Sequence, residues 1–377
     1  MANIDLSDEY QEIRSAALDL ARKVEPLAVE ADAASEVHAG VLRLLVESGL
    51  SRLMVPARYG GRFERVDPLA ICVAREVMMA TSSHLDSLFA LQGIGSFAIS
   101  HGGSDEQRQA WLPIVASCEA LAALALTEPE SGSDLKSLQT TVAATPGGFV
   151  LNGEKSFISN AGAAAFYTVL AREGEGFSMV LVPAETRGVT ARPLPELIAP
   201  HVLGDVSFDD VRLDEGARIG RAGEGMDLVL ATLAVFRVSV AGAALGVAQA
   251  ALDEATRHAA ERRQFGRPLA RLGAVAAMLA DSWTEIEMAR LLTYKAAAMA
   301  RDNPAASLHY SSMAKLAATE TAGRTVDRAV QIMGRFGLVR DTKIERLYRQ
   351  ARPMRIYEGA SEVLRLGIAR ALVDGLE

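Results

Sequence analysis

Apolar positions in the first part of the chain recur at helical spacing, and the pattern predicts helices over 8–30, 39–48, 67–80, 84–100 and 105–116. Start signals stand where they are needed. Ser7 precedes the acidic pair Asp8 and Glu9, and Ser104 precedes Asp105 and Glu106, so a cap and a dipole-matched first turn fall together. Gly60-Gly61 and Gly102-Gly103 mark loops between these segments.

The pattern changes at about residue 120. Short runs rich in β-formers at 140–144, 149–151, 155–159, 167–171, 178–183 and 206–213 are separated or flanked by Pro146-Gly147-Gly148, Asn152-Gly153 and Arg187-Gly188. Six short strands at this spacing predict a small barrel or sandwich. Helical spacing returns over 223–263, 269–301, 304–333 and 361–376. Gly242 and Gly246 share a helix face and permit close backbone approach, as in a bundle core. The reading is a mainly α protein with an inserted β domain: N-terminal helices over 1–118, a β-barrel-like domain over 119–221, and a helical bundle over 222–377. No internal repeat is visible.

Composition narrows the function classes. The length of 377 residues suits two or three domains, and aromatics at only 5% point to a core of closely packed small residues. A net charge of −8 without a basic stripe argues against nucleic acid. Cys72 and Cys118 fit a reducing compartment, and the start of the chain lacks the pattern of a signal peptide. The longest uncharged apolar stretch, 238–252, falls short of the roughly 20 residues that span a bilayer. The expectation is a cytoplasmic protein without membrane insertion.

Three segments could carry chemistry, and each also has a plain structural reading. The run Leu126-Thr127-Glu128-Pro129-Glu130-Ser131-Gly132-Ser133-Asp134 offers hydroxyls and backbone N–H groups for a polyanion, or is simply a tight turn. Glu261-Arg262-Arg263-Gln264-Phe265-Gly266 offers an Arg fork with an apolar wall, or is a dipole-matched helix end. Arg355-Ile356-Tyr357-Glu358-Gly359-Ala360-Ser361-Glu362 lets the chain turn at Gly359 and aim the Glu358 carboxylate, which otherwise only complements a helix N-terminus. GxGxxG, Walker, HExxH and GxSxG motifs are absent, and the six scattered histidines lack ligand spacing, so no metal is expected.

Taken together and in this order, the three segments resemble the acyl-CoA dehydrogenase family over nearly the whole chain. ALTEPESGSD is similar to its first signature and the stretch 331–362 to its last. The resemblance implies N-terminal helices, a middle β domain and a C-terminal four-helix bundle, with FAD between the last two and a neighbouring subunit completing its site. It implies cofactor contacts from Leu126, Thr127, Ser133, Phe157, Ser159, Arg262, Phe265, Gln331, Gly334, Arg335, Ser361 and Glu362. Ser133, Arg237, Tyr357 and Gly359 would contact substrate. Glu358 matches the base that removes an α-proton from a thioester while the β-hydrogen leaves as hydride to the flavin. The base position used by other relatives is Phe236 here.

The same resemblance implies a role in fatty acid metabolism, an electron-transferring flavoprotein as acceptor and a homotetramer built as a dimer of dimers. Arg335, Ala360, Glu362 and Gly273 depart from residues common in the family, and the 194–206 loop, which carries His201, is shorter than usual. Three alternatives stand beside this reading: a dehydrogenase acting on carrier-protein thioesters, an acyl-CoA oxidase, and a non-enzymatic flavin-bound relative.

Overall fold

Pro26, which lacks an N–H and clashes in a helix interior, divides the first predicted helix. The computed structural model describes residues 6–194 and 196–375. In it α1 (Asp8–Val24) ends in a 3₁₀ turn at Glu25–Leu27, and α2 (Ala28–Ala33) resumes after it. Helices α3 (Ala39–Ser48), α4 (Pro68–Thr81), α5 (Ser83–Gly102) and α6 (Asp105–Ala116) follow close to their predicted places. At the start of α6, Ser104 accepts from the Gln107 N–H while the Gln107 side chain accepts from the Ser104 N–H.

The middle of the chain forms β1 (Ala122–Ala125), β2 (Thr141–Thr145), β3 (Gly148–Ser159), β4 (Phe166–Glu173), β5 (Gly176–Pro183), β6 (Val189–Pro193), β7 (Leu203–Asp214) and β8 (Arg218–Ile219). They make one mixed sheet in the order β6-β7-β3-β2-β4-β5-β8, with β1 parallel to β4. Its end strands, β6 and β8, do not pair, so the expected barrel is not closed. The Asn152-Gly153 turn is also corrected. These residues form a bulge within the continuous strand β3, where Gly153 takes φ 147° and Asn152 Oδ1 accepts from the Asp210 N–H at 2.8 Å.

The C-terminal part contains α7 (Gly225–Glu261), a hairpin of β9 (Arg263–Gln264) and β10 (Arg267–Pro268), α8 (Gly273–Asp302), α9 (Pro304–Met333), α10 (Lys343–Met354) and α11 (Ser361–Asp374). Helix α10 escaped the sequence reading although Ile344, Leu347, Ala351 and Met354 lie on one buried stripe. By length and composition α7 could cross a membrane, against expectation, yet 83% of its most apolar window is buried inside the protein, as in a core helix.

These elements belong to two compact units. One comprises the chain up to Val29, Pro68–Ser83 and everything from Arg237 onward; the other comprises Glu30–Asp67 and His84–Phe236. In the first, α8, α10 and α11 pack on α9 around an alanine-rich core that includes Ala296, Ala300, Ala314 and Ala318. Gly242 and Gly246 meet the backbone of α4: a Cβ on Gly242 would lie 2.7 Å from the Cys72 carbonyl oxygen, and one on Gly246 would overlap that of Glu76. In the second unit one core cluster gathers Val169, Tyr167, Val206 and Phe208. Another packs Phe166 and Leu170 against Ile99, Leu112 and Val115.

Candidate active site

In the sheet-containing unit, β3 organises the predicted residues. Buried Lys155 donates through Nζ to the Leu126 carbonyl and to Glu128 Oε1, both at 2.9 Å. Glu128 also accepts from the N–H groups of Gln139 at 2.5 Å and Thr140 at 2.9 Å, which satisfies a carboxylate that water does not reach. Burial pushes Lys155 down to about 8, with Glu128 acting in the opposite sense. For Glu128 burial acts upward, but hydrogen bonds from Thr140, Gln139 and Lys155 hold it below the usual carboxylate range. This pair ties the Leu126–Glu128 strap to β3, and the Ser156 N–H donates to the Thr127 carbonyl at 2.8 Å beside it.

An irregularity between Lys155 and Ile158 then turns Phe157 out of the strand, at φ 55° and 56% exposed, between two buried neighbours. A bulky residue in the left-handed region with its ring in the open is a candidate functional position. Ser159 lies further along β3, half-buried, with Oγ 3.2 Å from His201 Nε2. Reciprocal Glu128 and Ser131 backbone bonds close the turn after the strap. Gly132 and Ser133 beyond it are exposed, and their N–H groups have no partner among the described residues. These N–H groups, the Thr127 and Ser133 hydroxyls, and the open Phe157 ring fit FAD: donors for phosphate and a flat apolar wall for a ring system.

In the other unit Glu358 occupies a turn between α10 and α11, at φ 51°, followed by Gly359 at φ 111°. Two cations grip this turn by its backbone. Arg237 donates through Nε to the Glu358 carbonyl at 2.8 Å and through Nη1 to Ser312 Oγ at 3.0 Å. Lys315, fully buried on α9, donates through Nζ to the Gly359 carbonyl at 2.8 Å. Burial pushes Lys315 down to about 8, against the pull of Glu358, and burial also lowers Arg237.

Glu320 braces the same turn from the other side, accepting from Arg355 Nε at 3.0 Å and Ser361 Oγ at 2.7 Å. The Ser361 N–H donates to the Arg355 carbonyl, so both its hydroxyl and its N–H are engaged within the chain. Tyr357 and Glu362 are exposed beside it.

The remaining predicted residues stand at the surface of this same unit. Phe265 and Gly266 form the two-residue tip of the β9–β10 hairpin, both at positive φ, and Phe265 is 88% exposed. Gln331, Gly334 and Arg335 are exposed where α9 ends. Arg262 and Arg335, distant in sequence, converge on the Phe336 ring at 5.7 and 5.0 Å from its centroid. Sequence reasoning passed over Lys155, Glu128, Ser312, Lys315 and Glu320 as site residues. The signal available was a charge on an otherwise apolar helix face or strand, which must be paired when buried. Among the described residues no group of three or more His, Cys, Asp or Glu is arranged to hold a metal ion.

Comparison with known proteins agrees with this arrangement. Residues 7–119, 123–211 and 223–373 match the family descriptions "Acyl-CoA dehydrogenase" N-terminal, middle and C-terminal domain, respectively. The chain is 33% identical over 367 residues to cyclohexane-1-carbonyl-CoA dehydrogenase of Geobacter metallireducens, covering 96% of this chain and 95% of the relative. Among solved structures it is similar to butyryl-CoA dehydrogenase from Megasphaera elsdenii, with TM-score 0.93, 29% identity, and coverage of 99% and 100% of the two chains. It is also similar to an acyl-CoA dehydrogenase complexed with FAD from Bacillus anthracis, with TM-score 0.92, 27% identity, and coverage of 99% and 68%. Three consecutive matches over almost the full length, together with the flavin-suited surface on β3, establish that the chain belongs to the acyl-CoA dehydrogenase family, the FAD-dependent oxidoreductases of acyl thioesters.

Proposed function

We propose that this protein introduces an α,β-double bond into the acyl group of a coenzyme A thioester, with Glu358 as the base. The observation that carries the proposal is the clamped turn: the carbonyls of Glu358 and Gly359 each accept from a cation at 2.8 Å. A base that must meet one particular carbon needs a fixed origin, and holding the backbone supplies it. FAD, when bound, supplies the acceptor for the hydride that leaves the β-carbon.

Glu358 takes the α-proton, and the electron pair of that C–H bond forms the new double bond as the β-hydride departs. A backbone N–H at the Glu358 turn polarises the thioester carbonyl as charge develops on it. Thr127, Gly132 and Ser133 would hold the phosphates of FAD, while Phe157 and Ser159 would line its ring system. Phe236, the position of the base in some relatives, is buried against Phe97 at 5.7 Å between ring centroids and offers no competing proton acceptor.

The same reading includes a homotetramer, transfer of electrons to an electron-transferring flavoprotein, a role in fatty acid metabolism and a cytoplasmic location. Exposed Trp283, Met288 and Leu291 on α8, at 58%, 60% and 59%, support an oligomeric interface. Buried free thiols at Cys72 and Cys118 support a reducing compartment.

The experiment is an anaerobic titration of the holoenzyme with acyl-CoA thioesters, including butyryl- and cyclohexane-1-carbonyl-CoA, read by bleaching of the oxidised flavin band. Bleaching by one class of acyl group is expected. Glu358→Gln should keep FAD and lose bleaching by about 10²–10⁴-fold in rate. Undiminished bleaching by that variant overturns the assignment of the base.

A further inference from the structure

His201, two residues before β7, stands at the end of β3, where its Nε2 lies 3.2 Å from Ser159 Oγ and 3.1 Å from Ser87 Oγ on α5. One ring nitrogen therefore serves two hydroxyls from different elements. The described residues give the Ser159 hydroxyl no other hydrogen-bond partner. One turn before Ser87 on the same helix, His84 Nε2 accepts from the His38 N–H at 3.0 Å, and the His84 N–H donates to Asp32 Oδ1 at 3.2 Å.

Burial pushes His84 down to about 4, with Asp32 opposing and His38 adding to the effect. Burial pushes His201 down to about 4 as well, and His84 adds to it. Both rings are neutral near pH 7. A neutral imidazole has one nitrogen that donates and one that accepts. With the proton on Nδ1, the single lone pair of His201 Nε2 is shared by the two serines. Whichever serine gives its proton to the ring keeps its oxygen lone pairs for another neighbour, and the other is left with a proton to donate elsewhere.

We propose that His201 is a positioning residue for Ser159, deciding whether that hydroxyl offers a proton or a lone pair to the flavin. The proposal rests on the reading above, in which the flavin lies along Phe157 and Ser159. Oxidised flavin presents acceptor nitrogens, and two-electron reduction adds N–H donors to its ring. A hydroxyl beside such an edge must accept where it had donated. With His201 within reach, Ser159 turns its proton toward Nε2 and stays in place. Without His201 the proton has no protein acceptor, and the reduced form is favoured less.

The test is the FAD midpoint potential of five holoenzyme variants, with FAD content and Tm recorded alongside. His201→Leu should lower the reduced-to-oxidised ratio at a fixed potential by about tenfold, equivalent to about 30 mV for a two-electron couple. His201→Gln, whose side chain can still accept, should recover most of that ratio. Ser87→Ala frees the His201 lone pair for Ser159 and should raise the ratio. In a Ser159→Ala background, His201→Leu should produce no further shift.

An equal His201→Leu shift in both backgrounds, or a lowered Tm with the potential unchanged, overturns the proposal and leaves His201 a structural role only. If His201→Leu does not retain FAD, the raised ratio expected of Ser87→Ala decides the matter, and an unchanged potential in Ser87→Ala overturns the proposal. Failure of the dehydrogenase reading looks different. In that case no acyl thioester bleaches wild-type holoenzyme, while the His201→Leu shift and its loss with Ser159→Ala persist and support the positioning role.

Discussion

Arg237 holds Glu358 by the main chain: its Nε donates to the Glu358 carbonyl oxygen at 2.8 Å across 121 positions of sequence. The second arm of the guanidinium goes to Ser312 Oγ at 3.0 Å, so α7, α9 and the turn before α11 are tied at one side chain. The resemblance placed Arg237 near the thioester; the structure spends one of its donors on the turn that carries the base and another on Ser312 of α9.

Arg237→Lys keeps the charge but loses the fork that reaches both acceptors. The kcat/KM for an acyl-CoA should fall by about 10- to 100-fold, matching a charged hydrogen bond of roughly 1.5–3 kcal/mol. FAD content should be unchanged. Steady-state kinetics and the flavin absorbance of the purified variant check both.

Lys315 gives a pH signature. Its folded pKa is about 8, below the ordinary 10.5, so between these values the unfolded chain binds more protons than the folded one. Stability from this group therefore rises with pH across that window and is lost as pH falls through about 8. The unfolding free energy of wild type minus that of Lys315→Met should increase from pH 8 to 10.5, as measured by urea denaturation. A flat difference would contradict the assignment of a buried, charge-suppressed amine.

Lys155→Met removes one partner of a buried ion pair and strands Glu128, whose carboxylate is almost fully covered. Loss of such a partner costs about 3–5 kcal/mol. The Leu126–Glu128 strap should also loosen, so FAD retention falls with stability. Adding Glu128→Gln to the variant should recover part of the denaturation midpoint, since the buried charge is then gone.

Phe265 at φ 50° and 88% exposure is a bulky residue held in the left-handed region with little packing in return. That conformation costs on the order of 1–3 kcal/mol, and asparagine tolerates it better. Phe265→Asn should leave the apo-protein as stable as wild type or up to about 1 kcal/mol more stable. FAD affinity should fall at the same time. Chemical denaturation and flavin rebinding separate the two effects.

The helices at 105–116 and 304–333 were legible in sequence to the residue, because apolar periodicity and their capping or proline start signals are local properties of the chain. The order of helices, strands and helices was legible for the same reason, as was the family, whose signatures are contiguous. Helix α10 was not, because charges at five of its twelve positions masked a stripe of four apolar residues. The Asn152-Gly153 bulge was not, because the same dipeptide makes a hairpin turn or a bulge according to the strand that pairs with it.

Glu358, Thr127 and Phe157 could be named from their motifs, whereas Lys315 on Gly359, Lys155 on Leu126 and His201 between two serines are contacts over 44, 29 and more than 40 positions. The sequence by itself determined which residue types and local conformations this protein has available. Only tertiary packing decided which buried charges meet which carbonyls, because a charge removed from water must find its partner in space and not along the chain.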